Sequence, residues 1–168
     1  MTVALALVVA GCGGSSDTDS PADTAARSAF LSDLNKACAE WAHEVTKTSQ
    51  HFEAVQVQAS AAQRLEVTAQ RYDQLAAGLD RLAERTQGFA PPGADADTID
   101  AWVASTQDRA DAERDLATAL RAHPAAPGAV SAAQESLRTA TDDANSAIAA
   151  YGAHECAPRT ELDPTASD

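Results

Sequence analysis

At 168 residues the chain is long enough for one domain with a modest single core. Its hydrophobic share is 45 %, but only 4 % is aromatic and alanine alone fills about a quarter of the positions, a composition that calls for closely approaching helices. The formal charge of -13 is spread along the chain, which excludes nucleic acid, whose phosphates demand clustered Lys and Arg, and electrostatic docking on an anionic membrane surface.

Met1 to Ala10 carry no charge and are apolar apart from Thr2, yet they fall far short of the roughly 20 residues that span a bilayer. They read as the apolar part of an export signal. Val9-Ala10-Gly11-Cys12 then resembles the bacterial lipobox: an aliphatic residue, two small residues and an obligatory cysteine. Small side chains let the backbone enter a peptidase site within the membrane, and a thiol is needed to take a diacylglyceryl group as a thioether. Residues 1–11 are therefore expected to be a lipoprotein signal peptide cleaved after Gly11, with lipidated Cys12 opening the mature chain. Such signals ordinarily begin with Lys or Arg; Met1-Thr2-Val3 has neither, which leaves either a start codon further upstream, the favoured reading, or an unusually short signal. Two acyl chains give a stable attachment where one is marginal. Residues 12–23, rich in Gly, Ser, Asp and Pro without apolar periodicity, read as a flexible tether.

Three cysteines is an odd number for an exported protein. With lipid on Cys12, Cys38 and Cys156 remain as a pair that would be oxidised outside the cytoplasm. Closing a loop of that size stabilises by about 4 to 5 kcal/mol from chain entropy. A metal pair or catalytic thiol is the weaker alternative, since there is no CxxC, no second Cys nearby in sequence and no nucleophile motif.

From Thr24 onward the apolar residues recur at three and four, the period of a helix with one buried face. Phe30, Leu31, Leu34, Cys38, Trp41, Val45 and Phe52 form one stripe, and Leu65, Tyr72, Leu75, Leu79 and Leu82 a second that ends near Gly88. A break at Ala90 to Asp97 precedes a third stripe of Ile99, Trp102, Val103, Thr106, Leu116 and Leu120, which Pro124 ends. Val130, Leu137, Thr141, Ala144, Ile148 and Tyr151 make a fourth, with Gly152 placed as a left-handed stop. The expected fold is all-α, an antiparallel four-helix bundle with a disulfide, its helices at about 24–57, 61–87, 98–122 and 129–151. The bundle domain covers 24–157, and 158–168 form a disordered acidic tail.

No Gly or Pro marks the join between the first two helices. Ser60-Ala61-Ala62-Gln63 matches a capping box. If Cys156 reaches Cys38, helix four runs back beside helix one, and its length of roughly 33 Å puts its start level with residues near 60. The turn therefore belongs at Gln56 to Ser60.

Motifs for chemistry are sparse. Glu40-x-x-His43 is the spacing used in di-iron bundles, but such sites need it on two helices and it occurs once. His154-Glu155 beside Cys156 reads as an exposed loop pair. No G-x-S-x-G elbow suits a hydrolase, and Gly11-Cys12-Gly13-Gly14 lacks the Lys-Ser or Lys-Thr of a phosphate loop. Trp41 and Trp102 read as core fillers, and Arg64, Arg71, Arg81 and Arg85 among Glu66, Asp73, Asp80 and Glu84 as a salt-bridged solvent face. No catalytic residue, metal site or cofactor is expected.

Phe30-Leu31-Ser32-Asp33-Leu34-Asn35-Lys36-Ala37-Cys38-Ala39-Glu40, the Pro91-Pro92 break and Ala149-Ala150-Tyr151-Gly152-Ala153-His154-Glu155-Cys156 together resemble small exported or lipid-anchored proteins of high-GC Gram-positive bacteria. In that group a helical domain is bracketed by a Cys in the first helix and a "YG...C" ending. The resemblance covers 28–156, supports the bundle and the Cys38–Cys156 pairing, and implies no activity. The expectation is a non-enzymatic lipoprotein anchored by lipid at the outer face of the cytoplasmic membrane. It would act as a binding or interaction module, with a cell-envelope protein as possible partner. The alternative is a small-ligand or metal sensor or carrier that uses the bundle interior.

Overall fold

The structure, a computed structural model, describes residues 21–123 and 125–157. The expected signal peptide, Cys12, most of the tether and the C-terminal tail lie outside the described residues. Four helices follow in order: α1 (Pro21–Gln58), α2 (Ala61–Gln87), α3 (Ala96–Ala122) and α4 (Pro127–Tyr151), with short 3-10 turns at Gly93–Asp95 and His154–Cys156. No strand occurs among the described residues, and no helix there is long and apolar enough to cross a membrane.

The boundaries differ from expectation chiefly at helix starts. Residues 21–23, expected in the tether, belong to α1: proline loses nothing at a first helical position, and Asp23 sits in the first turn, where the helix dipole favours an anion. α3 and α4 each begin two residues early, α3 behind its 3-10 turn and α4 on another N-terminal proline. The join between α1 and α2 falls where the capping box placed it. The Gln63 amide donates to Ser60 Oγ at 3.4 Å, and the Ser60 amide donates to Gln63 Oε1 at 2.9 Å. Ser60→Ala should therefore lower stability by about 1 kcal/mol in urea unfolding. A change of no more than a few tenths would show that packing alone sets the turn. At the other end, Gly152 adopts φ 97° and stops α4, as its position suggested.

α2 packs against α1 and α3, and α3 against α4. The expected run of α4 back along α1 is not seen among the described residues: α4 lies along α3 and meets α1 at the disulfide end, where the Tyr151 ring packs edge-on against Phe30 at 6.0 Å and the His154–Cys156 turn returns to α1. The Cys38–Cys156 disulfide makes that return covalent, with Cα atoms 4.9 Å apart. The bundle is thus clamped at one end, while the far halves of α1 and α4 are held only through α2 and α3.

Two apolar clusters form the core. The larger, at the disulfide end, joins Phe30, Leu34, Trp41, Leu79, Trp102 and Ile148 around Cys38 and Cys156. Here the Tyr151 hydroxyl donates to Asp95 Oδ2 at 2.9 Å, Arg27 lies 4.9 Å from the Tyr151 ring centre, and burial together with that hydrogen bond pushes the phenol up to about 12. The smaller cluster sets Leu116, Ala117 and Leu120 of α3 against Ala69 of α2, with Val130 and Leu137 of α4 packed on it. α1 has 38 residues, about 57 Å, whereas the others have 25 to 27, about 40 Å. Its opening stretch, Pro21 to Ala26, is exposed throughout.

Candidate functional site

Between the two apolar clusters lies a polar layer. On α3 the inward stripe runs from Ile99 through Trp102, Val103 and Thr106 to Leu116 and Leu120, and the same three-four spacing turns Arg109 and Glu113 inward. α2 brings Arg71 and Tyr72 between buried Ala69 and Ala76. α1 brings Trp41 from above and half-buried Ser49 from the stretch between Val45 and Phe52. Gly78 lies against Trp41: a Cβ there would sit in van der Waals contact, 3.4 Å from the indole nitrogen.

Arg109 Nε approaches Glu113 Oε1 at 3.6 Å, with the two side chains 16 % and 4 % exposed. Its guanidinium carbon lies 5.2 Å from the Trp41 ring centre. Arg71 Nη2 donates to Ser49 Oγ at 3.0 Å. Other buried hydroxyls satisfy themselves within their helices: Thr86 donates to the Leu82 carbonyl and Thr106 to the Trp102 carbonyl, both at 2.9 Å. The buried side-chain atoms without a hydrogen-bond partner among the described residues are Trp41 Nε1, Arg71 Nε, Arg109 Nε and Glu113 Oε2, all in this layer. Such atoms are costly when buried and bare, at about 1 to 3 kcal/mol each.

The electrostatics follow from burial. Desolvation pushes the Glu113 carboxyl up to about 7 against the pull of Arg109, Arg71 and Arg114. The same burial pulls Arg109 below the ordinary guanidinium range, with Glu113 opposing. Tyr72 is raised, first by burial, with Arg71 lowering and Glu113 raising it. The layer offers cationic donors, one carboxylate of near-neutral pKa and no strong nucleophile.

The sequence-expected sites fall out as follows. Cys38 and Cys156 meet as the disulfide. Glu40 pairs with Arg85 on α2, whose hydrogen bond holds the carboxyl below its usual range, and His43 is exposed beside it. Among the described residues no three His, Cys, Asp or Glu side chains are placed to hold a metal ion. Trp41 and Trp102 are both buried in the larger cluster, as expected of core fillers. His154 is exposed in the turn that carries Cys156. Of the α2 arginines expected on a salt-bridged solvent face, Arg81 and Arg85 are exposed and pair with Glu44 and Glu40 of α1, and Arg64 is exposed; Arg71 departs, half-buried with its Nε lacking a hydrogen-bond partner among the described residues.

Two shallow grooves lie elsewhere on the surface. One of about 350 Å³ between α3 and α4 is lined by Ser105, Asp108, Glu135, Ser136, Thr139 and Asp143. The other, about 430 Å³ at the α1–α2 turn, is lined by His51, Val55, Gln58, Gln63, Glu66 and Val67. Neither contains an unpartnered buried polar atom.

No family model matches the chain, and no characterised protein or solved structure shows significant similarity to it. The resemblance to small exported proteins of high-GC Gram-positive bacteria therefore rests on the quoted residues alone.

Proposed function

We propose that the protein is an exported lipoprotein, held at the outer face of the cytoplasmic membrane by lipid on Cys12, and that it works there as a non-enzymatic binding or interaction module. The observation that carries this reading is the sequence Val9-Ala10-Gly11-Cys12 after an uncharged apolar run. Cysteine usage supports it. With Cys38 joined to Cys156, a bond that persists in oxidising compartments, Cys12 is the one cysteine of three left for another covalent fate. The partner on this reading is a cell-envelope protein. The test is metabolic labelling with a palmitate analogue in a Gram-positive host. The chain should carry label and stay with the membrane, while Cys12→Ser should carry none and appear in the medium. Unlabelled wild-type chain, or a Cys12→Ser variant that stays on the membrane, contradicts the anchor.

A second reading is favoured by one observation, the polar layer. In it the bundle interior holds a small ligand, and the protein is an envelope sensor or carrier.

A further inference from the structure

We infer that the polar layer is an internal binding site for a small oxyanion that also carries a hydroxyl, of the chemistry shared by hydrogen phosphate and short hydroxycarboxylates. The inference rests on the second reading above and names its ligand class. Its basis is an imbalance of partners. Trp41 Nε1 and Arg71 Nε are buried donors without acceptors, Arg109 Nε has only the long 3.6 Å approach to Glu113 Oε1, and Glu113 Oε2 is a buried acceptor without a donor. The charges are equally unbalanced, since two guanidinium groups face one carboxylate.

A guest that completes the layer must bring several acceptor oxygens, negative charge and one O–H. The acceptors take the indole and guanidinium N–H groups in charge-assisted bonds, and the hydroxyl donates to Glu113 Oε2. A cation meets two arginines and is repelled. A neutral apolar guest leaves all four atoms bare. Water can satisfy the four atoms but leaves the excess positive charge buried.

Access does not require opening the apolar clusters. Arg71 is half-buried and the Arg109 side chain is 16 % exposed, so the layer is not fully sealed from solvent.

The test uses the full-length oxidised chain in mild detergent, in a chloride buffer at fixed ionic strength, with inorganic phosphate and lactate as separate probes. A guest that binds only the native state raises the melting temperature with concentration. The rise should exceed that given by added chloride, and the probe that produces it identifies the source of the oxyanion. Arg109→Met keeps the stem and removes the donor, so it should weaken the apparent affinity by about ten- to a hundredfold, the worth of one charged hydrogen bond. Arg71→Met should act alike, and Arg138→Met on the exposed face of α4 should change nothing. Broadening of the phosphate signal in ³¹P spectra of the wild-type protein provides a readout that needs no variant. Equal effects of chloride and both probes, or effects that survive Arg109→Met and Arg71→Met, overturn the inference. If both probes fail but another compound from a metabolite panel raises the melting temperature through Arg109, the oxyanion assignment falls and the interior-ligand reading stands. If nothing in the panel binds, both fall.

Discussion

Replacing Cys38 and Cys156 together with alanine should lower the stability of the bundle by about 4 to 5 kcal/mol, the chain entropy released when a loop of 118 residue positions is opened. The figure is large because the two cysteines stand nearly at opposite ends of the folded chain. It also has a local consequence. Apart from the disulfide and its 3-10 turn, α1 and α4 have no direct backbone packing among the described residues. Loss of the bond should therefore let the His154–Cys156 turn leave α1 and raise hydrogen exchange in the last turn of α4 before the rest of the bundle. Urea unfolding of the oxidised and alanine forms checks the first effect, and exchange at Ile148 to Tyr151 the second. A loss below about 1 kcal/mol would mean that the unfolded chain is already compact enough to keep these ends together.

Glu113→Gln should stabilise the protein at neutral and higher pH. The folded carboxyl titrates near 7 because burial disfavours its charge, while the unfolded one titrates near 4.5. Below pH 4.5 both are protonated and the group makes no difference. As pH rises from 4.5 to 7, the unfolded state releases its proton first, so the folded state loses stability through this window, by about 3 kcal/mol when complete. Glutamine has nearly the shape of the protonated acid and never ionises. The variant should match the wild type near pH 4.5 and exceed it by about 3 kcal/mol at pH 8 in denaturant unfolding. The exposed Glu40 and Glu135 carboxyls, each held low by a hydrogen-bonded arginine, act in the opposite direction at lower pH: their stabilisation is lost as pH falls. A glutamine variant less stable than wild type at pH 8 would mean that the pull of Arg109 outweighs burial and favours the charged Glu113 carboxyl in the fold.

Much of this architecture is legible in the sequence because it is written in local chemistry. The capping box at Ser60 and Gln63, the glycine stop at Gly152 and the leftover pair of cysteines each depend on a few residues whose partners are fixed by backbone geometry. The three-four spacing of large apolar residues locates all four helices. The polar layer is hidden for a physical reason. Arg109 and Glu113 are spaced i, i+4, which on most helices is a solvent-exposed ion pair. Their register between Thr106 and Leu116 is the signal that they point inward, and Ser49 and Arg71 at the same level of their own helices are its counterparts. The position of α4 is hidden too: alanine-rich faces fit several neighbours about equally well, so the stripe of α4 shows that it packs without showing on which helix. Pro21 and Asp23 look like the tether before them in composition, and only their placement as the first turn of α1 separates the two.

The proposed lipid anchor on Cys12 and the Cys38–Cys156 disulfide make a direct demand on the mature protein, and mass spectrometry of that protein taken intact from membranes tests both parts at once. The predicted result is an N-terminal peptide that begins at Cys12 with a diacylglyceryl mass on its sulfur, together with a Cys38–Cys156 linked peptide that separates on reduction. A mature chain that retains residues 1–11 or carries no lipid on Cys12, or in which Cys38 and Cys156 are free thiols, would contradict it.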